Sequence, residues 1–345
     1  MLPQPFARHE GLDHGITDTA LSRAVRGGIL VRPARGLYAV RSTWAPLELW
    51  RRHHLLSRAA ARLTPDAILS HASLAAVEGL PHPAYPPEQV SMTLLDDART
   101  SRADDWRRFH RGATPPEHVE IRGGLPRLVR ARTVVDCARE MHGRDALAIA
   151  DGALRSGGVT LDSLLAMRLH QRRWPHITRM DELLLLADGR RENWLESASA
   201  LSMSRWGMPD PVPQVEVFSR AGEFLGRVDK LWPELGVVGE ADGLGKYLLE
   251  GTEEATVLST LSAEQSRQSD LECEGLTVIR WTTAEAVSGE AIHSRLAPYL
   301  HGPRPRVTAR YRCGCCHSPL EQCQVEAGLR AWRAATRLTL ERKIW

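Results

Sequence analysis

Apolar residues near the start of the chain recur at helical spacing. Leu21 and Val25 lie four positions apart, on one face of a helix that begins at Asp18. Asp18 is the predicted N-cap, because its side chain can accept a hydrogen bond from the first helical turn. Gly27, followed by a second glycine, ends the predicted helix.

Two short apolar runs follow this helix, at residues 29–32 and 37–40, with the turn sequence PARG between them. They predict two strands of a basic β-hairpin, and Pro46 is expected to begin a helix that ends near Leu63. A helix followed by a hairpin is typical of a winged helix-turn-helix, which places a helix in the major groove of DNA and the hairpin on phosphate. The predicted DNA contacts are the arginines Arg23, Arg26, Arg32 and Arg35.

The rest of the chain alternates between strand and helix patterns. Residues 64–190 predict a mixed α/β connector, with a strand at 90–94 and helices near 132–142, 144–156, 160–170 and 176–188. Its histidines, His71, His82, His110 and His118, show no ligand spacing on one element, so no metal site is expected there. From residue 191 the pattern predicts a helix, three strands, a helix over 247–274, a buried strand at 276–282 and a last helix.

The chain has 345 residues, of which 43% are hydrophobic and 25% charged, and this composition excludes wholesale disorder. No apolar run approaches the ~20 residues of a membrane helix, and the N-terminus lacks a signal-peptide pattern. We therefore expect a cytoplasmic protein without a membrane partner. The net charge is +5 over residues 1–200, −8 over 201–300 and +6 beyond, which favours modules with separate partners. Only three of the basic residues are lysine, and the others are arginine. This preference for arginine suits phosphate binding, but it is also what a GC-rich genome produces.

Acidic residues recur in order through the C-terminal half. Glu196 lies near the start of a predicted helix, Asp229 lies on a predicted strand, and Glu240 and Asp242 lie two apart on the next strand, facing one side of the sheet. Converging carboxylates suit Mg²⁺, which prefers oxygen ligands and promotes phosphodiester hydrolysis. The alternative is that these are solvated carboxylates of an acidic domain.

The last 45 residues contain a cysteine pattern. Cys313 and Cys316 have the spacing of a zinc knuckle, and His317 or Cys323 would supply further ligands. The pattern is irregular in its second half and follows an arginine-rich stretch. The sequence therefore favours a flexible basic tail with free thiols over a zinc site.

Three motifs in the first half resemble the antitoxins of AbiE type IV toxin–antitoxin systems (AbiEi) and their actinobacterial relatives. They are ALSRAVRGGILVRPARGLYAV at residues 20–40, SHASLAA at 70–76 and RTVVDCAR at 132–139. The resemblance covers about residues 10–170. It implies a DNA-binding, autoregulating protein with double-stranded DNA and a cognate toxin as partners.

Residues 190–298 resemble the PD-(D/E)XK nuclease superfamily, in particular the very-short-patch-repair endonucleases. The motifs are GMPDP at 207–211, GRVD at 226–229, VGEADG at 238–243 and VIRW at 278–281. The resemblance implies a restriction-endonuclease-like α/β/α domain in which Glu196, Asp229 and Glu240 bind Mg²⁺. Asp242 stands where the superfamily has a lysine, and Lys246 is the candidate replacement.

The two resemblances predict an α+β and α/β multidomain protein with four regions. These are a winged-helix module at 1–63, an antitoxin-like connector at 64–190, a nuclease-like domain at 191–300 and a basic, cysteine-containing tail at 301–345. The predicted function is a DNA-binding, antitoxin-like transcriptional regulator that carries a magnesium-dependent endonuclease-like domain. The alternative is a non-catalytic regulator whose nuclease fold serves only binding or dimerisation.

Overall fold

The structure, a computed structural model, describes residues 2–96, 102–241 and 254–341. Within these residues the chain is mixed α/β with three sheets, which confirms the predicted class. It divides into two compact units: unit 1 comprises Met1–Met141 and Gly157–Met180, and unit 2 comprises His142–Ser156 and Asp181–Trp345. Among the described helices, none combines the length and the apolar character needed to cross a bilayer.

Unit 1 begins with a small module of short elements. They are β1 (Phe6–Ala7), α1 (Arg8–Asp13), α2 (Asp18–Arg26), β2 (Leu30–Val31), β3 (Leu37–Val40) and α3 (Arg41–Trp44). The strands form an antiparallel sheet in the order β1-β3-β2. Phe6, Leu21, Leu30 and Tyr38 form its buried core. The predicted helix and hairpin are therefore confirmed, but the N-cap of α2 is Thr17 rather than Asp18, because the Thr17 side chain accepts the Ala20 N–H.

The remainder of unit 1 is built on a six-stranded sheet in the order β6-β7-β5-β4-β9-β8. The strands are β4 (Ala67–Leu69), β5 (Val90–Leu94), β6 (Arg102–Ala103), β7 (Arg107–His110), β8 (Val119–Arg122) and β9 (Leu125–Leu128). The helices are α4 (Leu49–Leu63), α5 (His71–Val77), α6 (Arg130–Glu140) and α8 (Leu161–His170). Buried residues of β4, β5 and α4 share one apolar core.

Unit 2 is built on a five-stranded sheet in the order β13-β12-β11-β10-β14. The strands are β10 (Val212–Phe218), β11 (Phe224–Trp232), β12 (Val237–Ala241), β13 (Thr277–Trp281) and β14 (Arg310–Cys313). The helices are α7 (Gly143–Arg155), α10 (Trp194–Arg205), α11 (Glu254–Cys273), α12 (Thr283–Ser288), α13 (Glu290–Leu300) and α14 (Gln324–Glu341), and α9 (Arg179–Leu186) begins at the boundary with unit 1. β10, β11 and β12 are antiparallel, and β13 is parallel to β12. The parallel pair needs a crossover connection, and α11 lies in it.

Helices pack on both faces of this sheet. One core combines Met203 of α10 with Trp281 of β13 and Leu296 of α13. The other combines Leu271 of α11 with Val238 of β12. The unit therefore has helix, sheet and helix layers, with the strands between two apolar cores.

The predicted flexible tail is wrong for the residues that the structure describes. β14 pairs antiparallel with β10, with Cys313 opposite Val215, and α14 continues to Glu341. Leu320 and Cys323 are buried in the same core as Val215. The tail is ordered for two reasons. β14 forms hydrogen bonds with the backbone at the edge of β10, and the apolar residues of the tail are buried away from water. These two contributions outweigh the repulsion among the arginines of the tail.

Candidate functional site

The four predicted DNA-contacting arginines lie on the N-terminal module. Arg23 and Arg26 are exposed and lie three positions apart on α2, so they share one face of the helix. Leu21 fixes the opposite face of α2 in the core, because it is 1% exposed. The helix is thus anchored by its apolar side and presents its arginines to solvent.

The hairpin after α2 carries the other two arginines. Arg32 is exposed and lies over the Tyr38 ring, 5.4 Å from its centroid, and Arg35 lies at the turn between β2 and β3. Arg35 has Asp105 at 3.9 Å, but both side chains are largely exposed, so this pair contributes little. Within the described residues, Arg23 and Arg26 have no ion-pair partner. These guanidinium groups are available to bind an anion such as phosphate.

In unit 2, α10 holds the predicted site residue Glu196 in a buried position. Asn193 is the N-cap of α10, and its side chain both accepts the Glu196 N–H and donates to Glu196 Oε1 at 2.7 Å. Glu196 Oε2 accepts hydrogen bonds from the Gln214 side chain at 2.9 Å and from the Glu192 N–H at 3.2 Å. Burial raises the pKa of Glu196 above its ordinary value, although Lys230 and Gln214 oppose the rise. Its carboxylate therefore accepts three hydrogen bonds from the protein.

Lys230 is a site residue that sequence reasoning did not assign. It is 1% exposed, and its Nζ donates to the backbone carbonyl of Glu196 at 3.2 Å and lies 5.5 Å from the centroid of the Trp281 ring. Burial lowers the pKa of Lys230 to about 8, and the charge of Glu196 opposes this effect. The available signal was its position directly before the apolar residues Leu231 and Trp232, in a chain with only three lysines.

Asp229 and Glu240 lie on neighbouring antiparallel strands. The register pairs Lys230 with Gly239, which puts Asp229 next to Glu240 and on the face opposite Lys230. Asp229 Oδ2 accepts the Ala241 N–H at 2.9 Å. Glu240 is 9% exposed and forms ion pairs with Arg267 of α11 at 2.7 Å and with Arg280 of β13 at 3.0 Å. Its negative charge is thus neutralised by two cations that the sequence analysis did not assign to the site.

The described residues do not gather Glu196, Asp229 and Glu240 around one position suited to Mg²⁺. No group of three ligand atoms within 4.8 Å of one another is formed by these carboxylates in the described part of the chain. Glu196 faces donors at the start of α10, whereas Glu240 faces two arginines. Asp242 and Lys246, the other predicted members of the site, lie outside the described residues.

The tail cysteines come together in unit 2. Sγ atoms of Cys313, Cys316 and Cys323 all lie within 4.8 Å of one another. The fourth predicted ligand, His317, is not a member of this group, and its Nδ1 lies 3.0 Å from Glu216 Oε1.

Unit 1 contains a second cluster that the sequence analysis dismissed. The rings of His71 and His110 stack with centroids 3.8 Å apart, and Glu140 Oε1 lies 3.5 Å from His71 Nε2 and 3.0 Å from His110 Nδ1. Burial raises the pKa of Glu140, but hydrogen bonds from His110 and His71 outweigh it and bring the pKa far below its usual range. These residues line a cavity of about 170 Å³. The absence of ligand spacing on one element did not reveal this cluster, because its members come from β7, α5 and α6 and meet only in the folded unit.

No family model matches this chain. Two uncharacterized proteins from two strains of Mycobacterium tuberculosis are each 35% identical to the chain over 114 residues. The matched segment is 33% of this chain and 42% of each relative, so the chain spans less than half the length of the curated relatives that it matches.

Proposed function

We propose that this protein is a double-stranded-DNA-binding regulator whose N-terminal module contacts DNA through α2 and the β2–β3 hairpin. The observation that carries the proposal is the exposed set of arginines on these elements: Arg23, Arg26, Arg32 and Arg35. Asp18, the acidic residue at the start of α2, is already bonded to Arg8, with 2.6 Å between Arg8 Nε and Asp18 Oδ1. The helix therefore presents a positive face to a polyanion.

The dimensions of the module suit duplex DNA. A nine-residue helix is about 14 Å long, and the major groove, about 12 Å wide, admits an α-helix. Arginines on α2 and on the hairpin would then contact phosphates that flank the groove, which fixes the position of the protein. The resemblance to AbiE antitoxins supports the same function and adds promoter autoregulation and a cognate toxin as a second partner.

The proposal predicts that DNA affinity depends on Arg23 and Arg26. In fluorescence anisotropy with a labelled duplex, Arg23→Gln with Arg26→Gln should weaken binding by about tenfold or more, since each charge-assisted contact contributes roughly 1 kcal/mol or above. The matched control is Arg172→Gln with Arg173→Gln, which removes two exposed arginines elsewhere in unit 1. Equal losses in the two double variants would reject a role for α2, because net charge alone would then explain them.

A second candidate function is metal-dependent phosphodiester hydrolysis by unit 2. The adjacency of Asp229 and Glu240 favours it, as do the helix, sheet and helix layers that the nuclease resemblance implies. The ion pairs of Glu240 and the three hydrogen bonds that the Glu196 carboxylate accepts favour the non-catalytic alternative, in which this unit serves binding or dimerisation. Incubation of the whole protein with Mg²⁺ or Mn²⁺ and several nucleic acids decides between them. Strand cleavage that requires the metal supports hydrolysis, and intact nucleic acid supports the alternative.

A further inference from the structure

Four cysteines of the C-terminal segment lie within eleven residues of unit 2; three of their sulfurs form one group, and the fourth, that of Cys315, lies beside Cys313. Cys313 ends β14 and is 1% exposed, Cys323 is 3% exposed, and Cys315 and Cys316 lie in the loop between them. Sγ of Cys313 is 3.0 Å from Sγ of Cys315, and Sγ of Cys316 is 3.5 Å from Sγ of Cys323. Cys313, Cys316 and Cys323 also lie within 4.8 Å of one another.

These distances suit a shared metal ion better than a disulfide. A disulfide requires sulfurs about 2.05 Å apart, and all four cysteines are free thiols here. Tetrahedral zinc with Zn–S bonds of about 2.3 Å places its sulfur ligands roughly 3.8 Å apart. The Cys316–Cys323 separation of 3.5 Å is close to that value, the Cys313–Cys315 separation of 3.0 Å is shorter than it, and both exceed the length of a disulfide bond.

The backbone around the thiols is folded into a tight loop. Cys313 N–H donates to the Ser318 carbonyl at 2.9 Å, and His317 N–H donates to the Cys313 carbonyl at 2.8 Å. His317 has a φ of 56°, a left-handed conformation that turns the chain after Cys316. The Glu326 N–H points at the Cys323 sulfur at 3.4 Å, and such a donor stabilises a thiolate.

Gly314 attaches this loop to the sheet. Its N–H donates to the Gln214 carbonyl at 3.0 Å, and a Cβ at this position would lie 2.3 Å from that carbonyl oxygen. The loop thus requires glycine between Cys313 and Cys315. Because the Gln214 side chain donates to Glu196, the thiol loop braces the same strand that positions the buried carboxylate.

We propose that Cys313, Cys315, Cys316 and Cys323 bind one structural Zn²⁺ as thiolates. The ion would join the end of β14 to the start of α14 and hold both against β10, in place of a larger apolar core. His317 is not a ligand in this assignment, because its ring is engaged by Glu216. The site is independent of DNA binding by unit 1.

The experiment is to measure metal content by mass spectrometry after expression with added zinc and purification under reducing conditions. The wild-type chain should hold about one zinc ion, and Cys316→Ser or Cys323→Ser should hold less than roughly a tenth of that, as a site with a missing ligand does. Cys273→Ser is the matched control, since Cys273 is an exposed cysteine at the end of α11. It should keep the full metal content, and so should His317→Ala.

Replacement of zinc by Co²⁺ in the wild-type protein tests the site without any variant. Four thiolate ligands should give an intense thiolate-to-cobalt charge-transfer band, with visible bands typical of tetrahedral cobalt. Absence of these bands and of stoichiometric zinc would overturn the proposal. A loss of zinc in His317→Ala as large as in Cys316→Ser would overturn the all-cysteine ligand set.

Discussion

Replacement of Lys230 by methionine should remove a pH dependence of stability that originates inside unit 2. Lys230 is fully enclosed, donates to the Glu196 carbonyl and lies over Trp281. Methionine has a similar length and suits this apolar environment, so the variant is expected to fold. It cannot bind a proton, and it therefore isolates the contribution of the buried ammonium.

The expected magnitude follows from the pKa of Lys230. Burial lowers this pKa from 10.5 to about 8. Between these two values the unfolded chain binds a proton that the folded chain has lost, so the free energy of unfolding rises with pH across this window. Below about pH 8 Lys230 is charged in both the folded and the unfolded chain, so the free energy that burial of the ammonium costs the folded state is fully present. The rise from about pH 7 to 9.5 amounts to about 2 kcal/mol, at roughly 1.4 kcal/mol per pH unit.

Urea denaturation followed by tryptophan fluorescence, at several pH values, measures this effect. The wild type should gain about 2 kcal/mol relative to Lys230→Met between pH 7 and 9.5. Met203→Leu is the control, because Met203 lies in the same core as Trp281 and does not titrate. The difference in the free energy of unfolding between Met203→Leu and the wild type should be the same at every pH. If Lys230→Met followed the wild-type pH profile, the lysine would have to be hydrated in solution, and the reasoning from burial would be refuted.

Two further predictions concern a charge pair in unit 2 and a histidine in unit 1. Glu240→Gln should lower the free energy of unfolding by about 1–2 kcal/mol, because it leaves Arg267 and Arg280 facing a neutral group. The control Glu234→Gln, at an exposed position, should change the free energy of unfolding little. A stability gain together with lost cleavage would instead indicate a metal-binding carboxylate of a hydrolytic site. Burial lowers the pKa of His53 to about 4. Between about pH 6.5 and 4 the unfolded chain therefore binds a proton that the folded chain does not. The free energy of unfolding of the wild type should fall by up to about 3 kcal/mol as the pH is lowered through this range. In urea denaturation at several acid pH values, His53→Gln should remove this loss of stability, and His9→Gln, at an exposed position, should not. If His53→Gln lost as much stability as the wild type, burial of His53 would not be the cause.

Local elements of the fold could be predicted because their signals are local. The helix that carries Leu21 ends at a glycine pair, and the hairpin after it has a Pro/Gly turn, so neighbouring residues alone specify them. The same holds for β10, β11 and β12, which correspond to the three strands predicted after the helix that begins at residue 191. The exact cap at Thr17 was missed because Thr17 and Asp18 are both good N-cap residues.

Features that depend on distant contacts could not be predicted from the sequence. β14 forms because it pairs with the edge of β10, which is distant along the chain. The arginine-rich stretch before Cys313 has no strand pattern of its own that would predict this pairing. Glu240 looked free for a metal because Arg267 and Arg280 lie 27 and 40 positions away along the chain. The stacked pair of His71 and His110 likewise arises from elements that meet only in the folded unit.

The salt dependence of duplex binding by the wild-type protein tests the central claim most directly. If four arginines contact phosphates, the logarithm of the association constant should fall against the logarithm of salt concentration with a slope of about −3 to −4, at roughly 0.9 per contact. Arg23→Gln with Arg26→Gln should reduce the magnitude of this slope by about 2. Binding that is insensitive to salt, or no binding of a duplex at low salt and micromolar protein, would contradict the account.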